Sequence, residues 1–319
     1  MIGIAHRTRR GTLLAVAMVL LALDSTTADP ASPEPVVSLL GRPLPPPVLS
    51  DEFRAKQEGL LAEARADLAE KPHSADALVW VGRRLAYLGR YTEAIGTYTR
   101  GIEQHPDDPR FLRHRGHRYI SVRLLDKAIA DFERAAQLVR GQPDVVEPDG
   151  LPNARGIPTS TLTSNIWYHL GLARYLKGDF EAALGAYRKC LEYSQNPDML
   201  SATAHWLYMT LRRLGRDEEA HTVLEPITQE LEIIENRAYH RLILMYRGEI
   251  GVEQLLEQDA RAAGANAFPT TAYGVANWFL YNGDTDRADA LFREIVDSPS
   301  WAAFGYLAAE AELARSDGP

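Results

Sequence analysis

Two stretches of this chain repeat each other at a fixed offset, and that offset limits the fold more than any other feature. Within residues 75–140, Gly82 recurs as Gly116, Ala94 as Ala128 and Tyr98 as Phe132, each 34 residues later. The first copy places Leu78, Val81 and Leu85 at three- and four-residue spacing, one face of a helix. Gly89 then ends that helix, because glycine enters the left-handed region without strain. Ile95, Tyr98 and Ile102 carry a second helical face, which Pro106 ends for want of an N–H. Each unit is therefore a helix–turn–helix hairpin. A single hairpin leaves its apolar faces open, and stacking on its neighbours closes them. Gly82 and Ala94 are small where the two helices should cross closely, and Tyr91 and Tyr98 are large where adjacent hairpins should interlock.

The combination of Gly82, Gly89, Tyr91, Ala94, Tyr98 and Pro106, followed by Gly116, Tyr119, Ala128, Phe132 and Ala135, resembles the tetratricopeptide repeat family. The second copy departs from the pattern, with Arg123 at the turn glycine and Arg140 at the closing proline. The resemblance implies an all-α, right-handed superhelical solenoid of tetratricopeptide-like helical hairpins with capping helices.

Later units extend the solenoid. A third carries Trp167, Leu170, Gly171, Gly178, Phe180, Ala183 and Tyr187, and a fourth Leu207, Leu211, Gly215 and Ala220. Pro226 predicts a kink or early stop in the fourth. A fifth, at 235–264, is degenerate, with Gln254 where a small Ala recurs, and a sixth keeps Trp278, Gly283, Ala288 and Phe292. The amphipathic stretches 51–69 and 301–315 are expected to be the opening and closing helices of a solenoid domain spanning 51–315. Ala128 and Ala183 stand 55 residues apart, which leaves 21 residues beyond the repeat in the segment 141–164. Its four prolines and three glycines exclude a continuous helix, and a loop of that length is expected to be functional or disordered. Leu151, Ile157 and Leu162 favour an ordered flap beside the groove.

Upstream, Arg7, Arg9 and Arg10 precede an apolar run at 12–23, and small residues follow at Thr26, Thr27 and Ala28. That order matches a secretory signal at 1–28, and the run is shorter than the about 20 residues of a membrane span. Export to a periplasmic or extracellular compartment is the expectation, with an uncleaved membrane anchor as the alternative. Residues 29–50, rich in proline, read as an extended linker. The chain has 35 basic and 43 acidic residues; without 1–28 these become 32 and 42, a net charge of −10. Such a balance disfavours nucleic acid as a partner. The single cysteine, Cys190, excludes an internal disulfide and reads as a buried packing residue.

In the resembled family the first helix of each hairpin lines the concave groove. Carried onto this chain, that puts Arg83, Tyr87, Arg113, His117, Tyr168, Tyr175, His205, Arg212, Tyr273, Asn277 and Tyr281 on the groove. Guanidinium forks suit carboxylates, and tyrosines add contact area at little entropic cost. The expected partner is a protein or an extended peptide with acidic groups. Packing between repeats, or solvation, accounts for several of these residues equally well. The Lys and Asn set of the family's peptide-carboxylate clamp is absent. His114 and His117 are three apart on one helix and His169 and His205 lie in later first helices; adjacent hairpins separate such residues by about 10 Å, so a coordinated metal is not expected. No cofactor is expected, and no catalytic motif is present: the chain has no G-x-S-x-G, H-E-x-x-H, phosphate loop or C-x-x-C. An interaction scaffold rather than an enzyme is the principal reading. The alternative is a small-molecule or glycan-binding protein, with a pocket under 141–164 near Trp206, Tyr168 and His205. Self-association through the end helices is compatible with either.

Overall fold

The structure, a computed structural model, describes residues 1–3, 36–260 and 267–316. The chain divides into two units, Met1–Glu34 and Pro35–Pro319. Of the first, only the irregular residues 1–3 are described, so the expected signal lies almost wholly outside the described residues.

The second unit is an all-α solenoid. A first helix, α1 (Asp51–Glu70), packs on the hairpin α2–α3 (Ala75–Tyr87, Tyr91–Gln104). Then follow α4–α5 (Pro109–Ser121, Leu125–Leu138), α6–α7 (Leu162–Leu176, Phe180–Glu192) and α8–α9 (Pro197–Arg213, Asp217–Leu224). The series ends with α10–α11 (Arg237–Tyr246, Val252–Ala260), α12–α13 (Ala267–Tyr281, Thr285–Val296) and a last helix, α14 (Phe304–Ser316). Starts are set locally. Ser50, Ser74, Asp108, Asp179, Asn196 and Asp284 each accept a backbone N–H of the first turn, and Thr161 forms a reciprocal capping box with Ser164. Helix α9 ends at Leu224, two residues short of Pro226.

The repeated glycine inside each first helix works against an aromatic ring. A Cβ on Gly82 would stand 2.3 Å from the Tyr98 ring, and those on Gly116 and Gly171 would crowd Phe132 and Tyr187 at 2.8 and 2.7 Å. The crossing is therefore close because an aromatic residue of the second helix lies flat on a bare patch of the first. The hairpin turn at residue 89 is left-handed (φ 75°), and so are its counterparts at Gly178, Gly215, Gly248 and Gly283. The remaining counterpart is Arg123, which takes φ 63° without being glycine. Leu78, Phe111, Phe132 and Ile166 have no exposed surface, and Phe111 meets Gly101 of the preceding hairpin. Each such burial contributes about 1.5–3 kcal/mol.

Three features go beyond a plain stack. Residues 36–44, inside the proline-rich stretch, form a small antiparallel ribbon of β1 (Val36–Val37) and β2 (Pro43–Leu44), and Leu44 is buried. Residues 139–161 form an irregular insert before α6, closed by an antiparallel bridge between Val146 and Thr161, the residue that caps α6. The third is α14, which packs on α12 and α13 and also turns inward onto the first helices of earlier hairpins. Its Phe304 sits 5.5 Å from the His117 ring, 5.6 Å from His169 and 6.4 Å from Tyr168. Its Glu310, without exposed surface, pairs with Arg123 at 2.7 Å and accepts the Leu39 N–H of the ribbon. Arg315 donates to the Leu176 carbonyl at 2.8 Å. Trp301, just ahead of α14, meets Tyr91 edge-on at 5.8 Å and donates to the Pro45 carbonyl at 2.8 Å. The expected trough along the first helices is thus occupied by the chain's own last helix, and the last hairpins are tied back to the first.

Among the described residues, no helix is long and apolar enough to cross a membrane. Cys190 is buried, with Ser194 and Thr203 around it, and burial pushes its thiol up to about 12, so it is an unreactive packing residue.

Candidate interaction site

The eleven residues read as groove-lining separate into groups. Arg83, Arg113, Tyr168, Tyr175, His205, Tyr273 and Asn277 are buried; Tyr87, His117, Arg212 and Tyr281 are half-buried. Tyr175, Tyr273 and Asn277 form one buried knot. Tyr273 and Asn277 donate to the Tyr175 hydroxyl at 2.9 and 3.0 Å, while Arg213 and Arg315 both pair with Glu312 of α14 at 2.7 Å. Tyr168 donates to Tyr239, and His205 Nδ1 faces the Tyr246 hydroxyl at 3.2 Å. Arg212 lies over the Tyr281 ring at 4.4 Å and pairs with Asp217 at 2.8 Å. These seven are tied up in contacts within the chain.

The other four, Arg83, Tyr87, Arg113 and His117, converge on a recess between α2, α4 and the insert. A cavity of about 120 Å³ there is also lined by Tyr98, His114, Arg118 and Glu147. A second, of about 160 Å³, runs on beneath the insert past Glu147, Asp149, Ser160, Asn165 and Glu235. Both fall short of the several hundred Å³ that a glycan or drug-sized ligand fills. Trp206, Tyr168 and His205 line neither.

The recess is rich in cations. Arg113 Nε lies 2.9 Å from Glu147 Oε2, both side chains almost fully enclosed, and His114 Nε2 is 3.6 Å from the other oxygen. Arg83 spends its donors on neutral groups, the Pro148 carbonyl at 2.7 Å and the Tyr87 hydroxyl at 3.1 and 3.2 Å. Arg84 donates to the Gly150 carbonyl and to Gln57 at 3.1 and 3.3 Å. Half-buried Arg118 lies over the Tyr91 ring at 5.2 Å and has no carboxylate partner among the described residues. One carboxylate therefore answers several guanidinium groups. Burial and these neighbouring cations hold the His114 and His117 imidazoles well below their ordinary value, so both are neutral hydrogen-bonding groups at neutral pH. Burial likewise lowers the Arg113 pKa, opposed by Glu147.

The insert is held to the solenoid by directed polar contacts. Asn165 donates to Glu147 at 3.0 Å and to Ser160 at 2.9 Å, Asn196 donates to the Thr159 carbonyl at 2.9 Å, and Thr159 and Arg155 reach Glu235 and Glu232. Gly150 fits against α2 so closely that a Cβ would stand 2.1 Å from the Tyr87 hydroxyl. The residues missed by sequence reasoning are Arg84, Arg118 and Glu147. The repeat offset carried a signal for one pair, since Arg84 and Arg118 are 34 residues apart, as are Arg83 and His117. Nothing local marked Glu147 among the acidic residues of the insert.

Residues 57–109, 81–143 and 164–197 match the family described as Tetratricopeptide repeat. The heat-shock protein cognate (HSC) co-chaperone sgt12 of Aspergillus fumigatus is 27% identical over 177 residues, covering 54% of this chain and 45% of that protein. The BBSome complex member BBS4 of Bos taurus is 29% identical over 140 residues, covering 44% of this chain and 23% of that protein. The chain thus spans less than half the length of these curated relatives. The crystal structure of a tetratricopeptide repeat protein from Parabacteroides merdae ATCC 43184 is 13% identical, covers 82% of this chain and 98% of that one, and superposes with a TM-score of 0.45.

Proposed function

We propose, starting from the fact that this chain is a tetratricopeptide repeat protein, that it is an exported, non-catalytic interaction scaffold that captures an acidic segment of a partner protein at the arginine recess. The supporting observation is Arg118. It is half-buried and, among the described residues, without a carboxylate partner, and it shares a small cavity with Arg83 and Arg113 in a chain whose net charge is −8. An overall acidic protein that concentrates guanidinium groups in one partly covered place offers a site for carboxylates. Partner side chains, rather than a small molecule, suit a cavity of this size that opens under an exposed insert. Export rests on the charged, apolar and small-residue order of residues 1–28, which directs the chain to a periplasmic or extracellular compartment.

Arg118→Glu is the discriminating substitution, because among the described residues Arg118 lies over the Tyr91 ring and makes no ion pair. The partner recovered with the wild-type chain from periplasmic or secreted material should fall at least about tenfold with the variant, as expected for loss of a charge-assisted contact. Circular dichroism should be unchanged. Equal recovery with both chains would overturn the reading. The same material tests export, since amino-terminal sequencing of the recovered chain should begin near residue 29.

A further inference from the structure

We infer that residues 147–150 of the insert are an internal occupant of the recess, standing where a partner's acidic segment docks and giving way to it. The inference rests on the reading above, that the recess takes acidic segments, and adds the form of the segment.

The contacts of residues 147–150 are those by which a groove holds an extended peptide. One side chain is taken by charge: Glu147 meets Arg113 at 2.9 Å and Asn165 at 3.0 Å. Two backbone carbonyls are taken by side chains, Pro148 by Arg83 at 2.7 Å and Gly150 by Arg84 at 3.1 Å. All these donors belong to α2, α4 and α6, and the segment they hold comes from outside the repeats. The segment is not fixed there by core burial. Val145, Val146, Leu151 and Ile157 flank it and are 59%, 56%, 45% and 44% exposed, so its apolar side chains face water. What keeps it down is a set of polar contacts that another peptide can supply in turn.

The occupant also leaves the recess under-filled. Glu147 brings a single carboxylate to the cavity that Arg83, Arg113 and Arg118 share, and Arg118 receives none. Asp149 turns one oxygen back to the Leu151 N–H at 2.9 Å instead of to an arginine. A competing segment gains by offering what the insert lacks. Its chemistry is an extended peptide with a glutamate for Arg113, free carbonyls one and three residues later for Arg83 and Arg84, and a second carboxylate for Arg118.

A synthetic peptide with the sequence of residues 143–152 tests this by fluorescence anisotropy at low salt, against three full-length chains: wild type, Glu147→Gln, and a chain with residues 144–158 replaced by a Gly/Ser linker of equal length. The peptide should bind the linker chain at least about tenfold tighter than wild type, with Glu147→Gln between them. Adding Arg113→Gln to either variant should abolish the gain. Equal binding to wild type and to Glu147→Gln overturns the inference, and that comparison stands even where the linker chain fails to fold. An unrelated peptide of alternating Glu and Gly separates the two claims. If it binds the linker chain as tightly as the native-sequence peptide does, the insert is no mimic, while the recess still takes acidic segments. If neither peptide binds a variant with wild-type circular dichroism, both claims fall.

Discussion

Arg123 shows how one side chain can reverse a local preference. The turn it occupies recurs as glycine at Gly89, Gly178, Gly215, Gly248 and Gly283, and all of them are left-handed. A non-glycine residue there costs about 1–2 kcal/mol. The offset is the guanidinium, which is buried and donates to Glu310, to the Ser121 carbonyl and to the Trp301 carbonyl at 2.6–3.0 Å. Arg123→Gly should therefore destabilise the chain in spite of a better backbone. It leaves Glu310 enclosed without its cation, a loss of about 3–5 kcal/mol against the strain relieved. Urea unfolding should show this, and the double variant Arg123→Gly/Glu310→Gln should recover part of the loss. The departure at Arg123 is visible in the sequence; its reason is not, because the partner stands 187 residues away. Glycines inside helices divide in the same way. Gly82→Ala drives a Cβ into the Tyr98 ring and should cost about 1–3 kcal/mol. Gly96→Ala, with nothing within 4 Å, should gain about 1 kcal/mol from helix propensity. A pair of thermal melts decides both, and equal shifts would refute the account of the crossing.

At the scale of elements, legibility follows periodicity. Hairpins α2–α3, α4–α5 and α6–α7 were readable because packing against a neighbour forces the same residue types to return at the same offset. Segments that answer to something other than the repeat left no such trace. The ribbon at 36–44 lies in a stretch whose prolines suggested only an extended linker. The inward turn of α14 depends on Glu310 and Glu312, which pair with Arg123, Arg213 and Arg315 and which no repeat position marks in the amphipathic stretch 301–315. The loop 225–236 is a third case. Asp198, buried in the first turn of α8, accepts the backbone N–H groups of Ile234, Glu235 and Asn236 at 2.8–2.9 Å. A carboxylate at a helix start reads as a dipole partner, and that hides its long reach. Asp198→Asn replaces an acceptor of three N–H groups by an amide with one oxygen, and should cost about 1.5–3 kcal/mol. Limited proteolysis should then cut within 225–236 before any other described part of the solenoid. Unchanged cleavage order would show that the loop is held by other means.

For the whole solenoid, closure depends on uncharged histidines. His117 of α4 and His169 of α6 face each other at 4.4 Å, and both rings lie against Phe304 of α14. Burial holds both well below the ordinary imidazole value, with Arg113 and Arg118 adding repulsion, and it holds His205 down to about 3. A depressed histidine pKa means that the unfolded chain takes up protons in a range where the folded chain does not. The stability it contributes is complete above about pH 6.5 and is withdrawn as pH falls toward the folded value. For His205 alone, acidification from about pH 6.5 to about pH 5 should remove about 2 kcal/mol, since each pH unit across that window is worth about 1.4 kcal/mol. Urea unfolding of wild type and His205→Gln should therefore converge by that amount over the window, and a constant gap would refute the assignment. Where the chain opens first follows from geometry. Charging His117 or His169 places a cation beside the other ring, beside two arginines and against Phe304, so the contact that fails is the one joining α14 to the early hairpins. Hydrogen exchange at about pH 5 should rise in residues 304–316 before it rises in α2–α5, because those hairpins keep their aromatic-on-glycine crossings whether or not the last helix is seated.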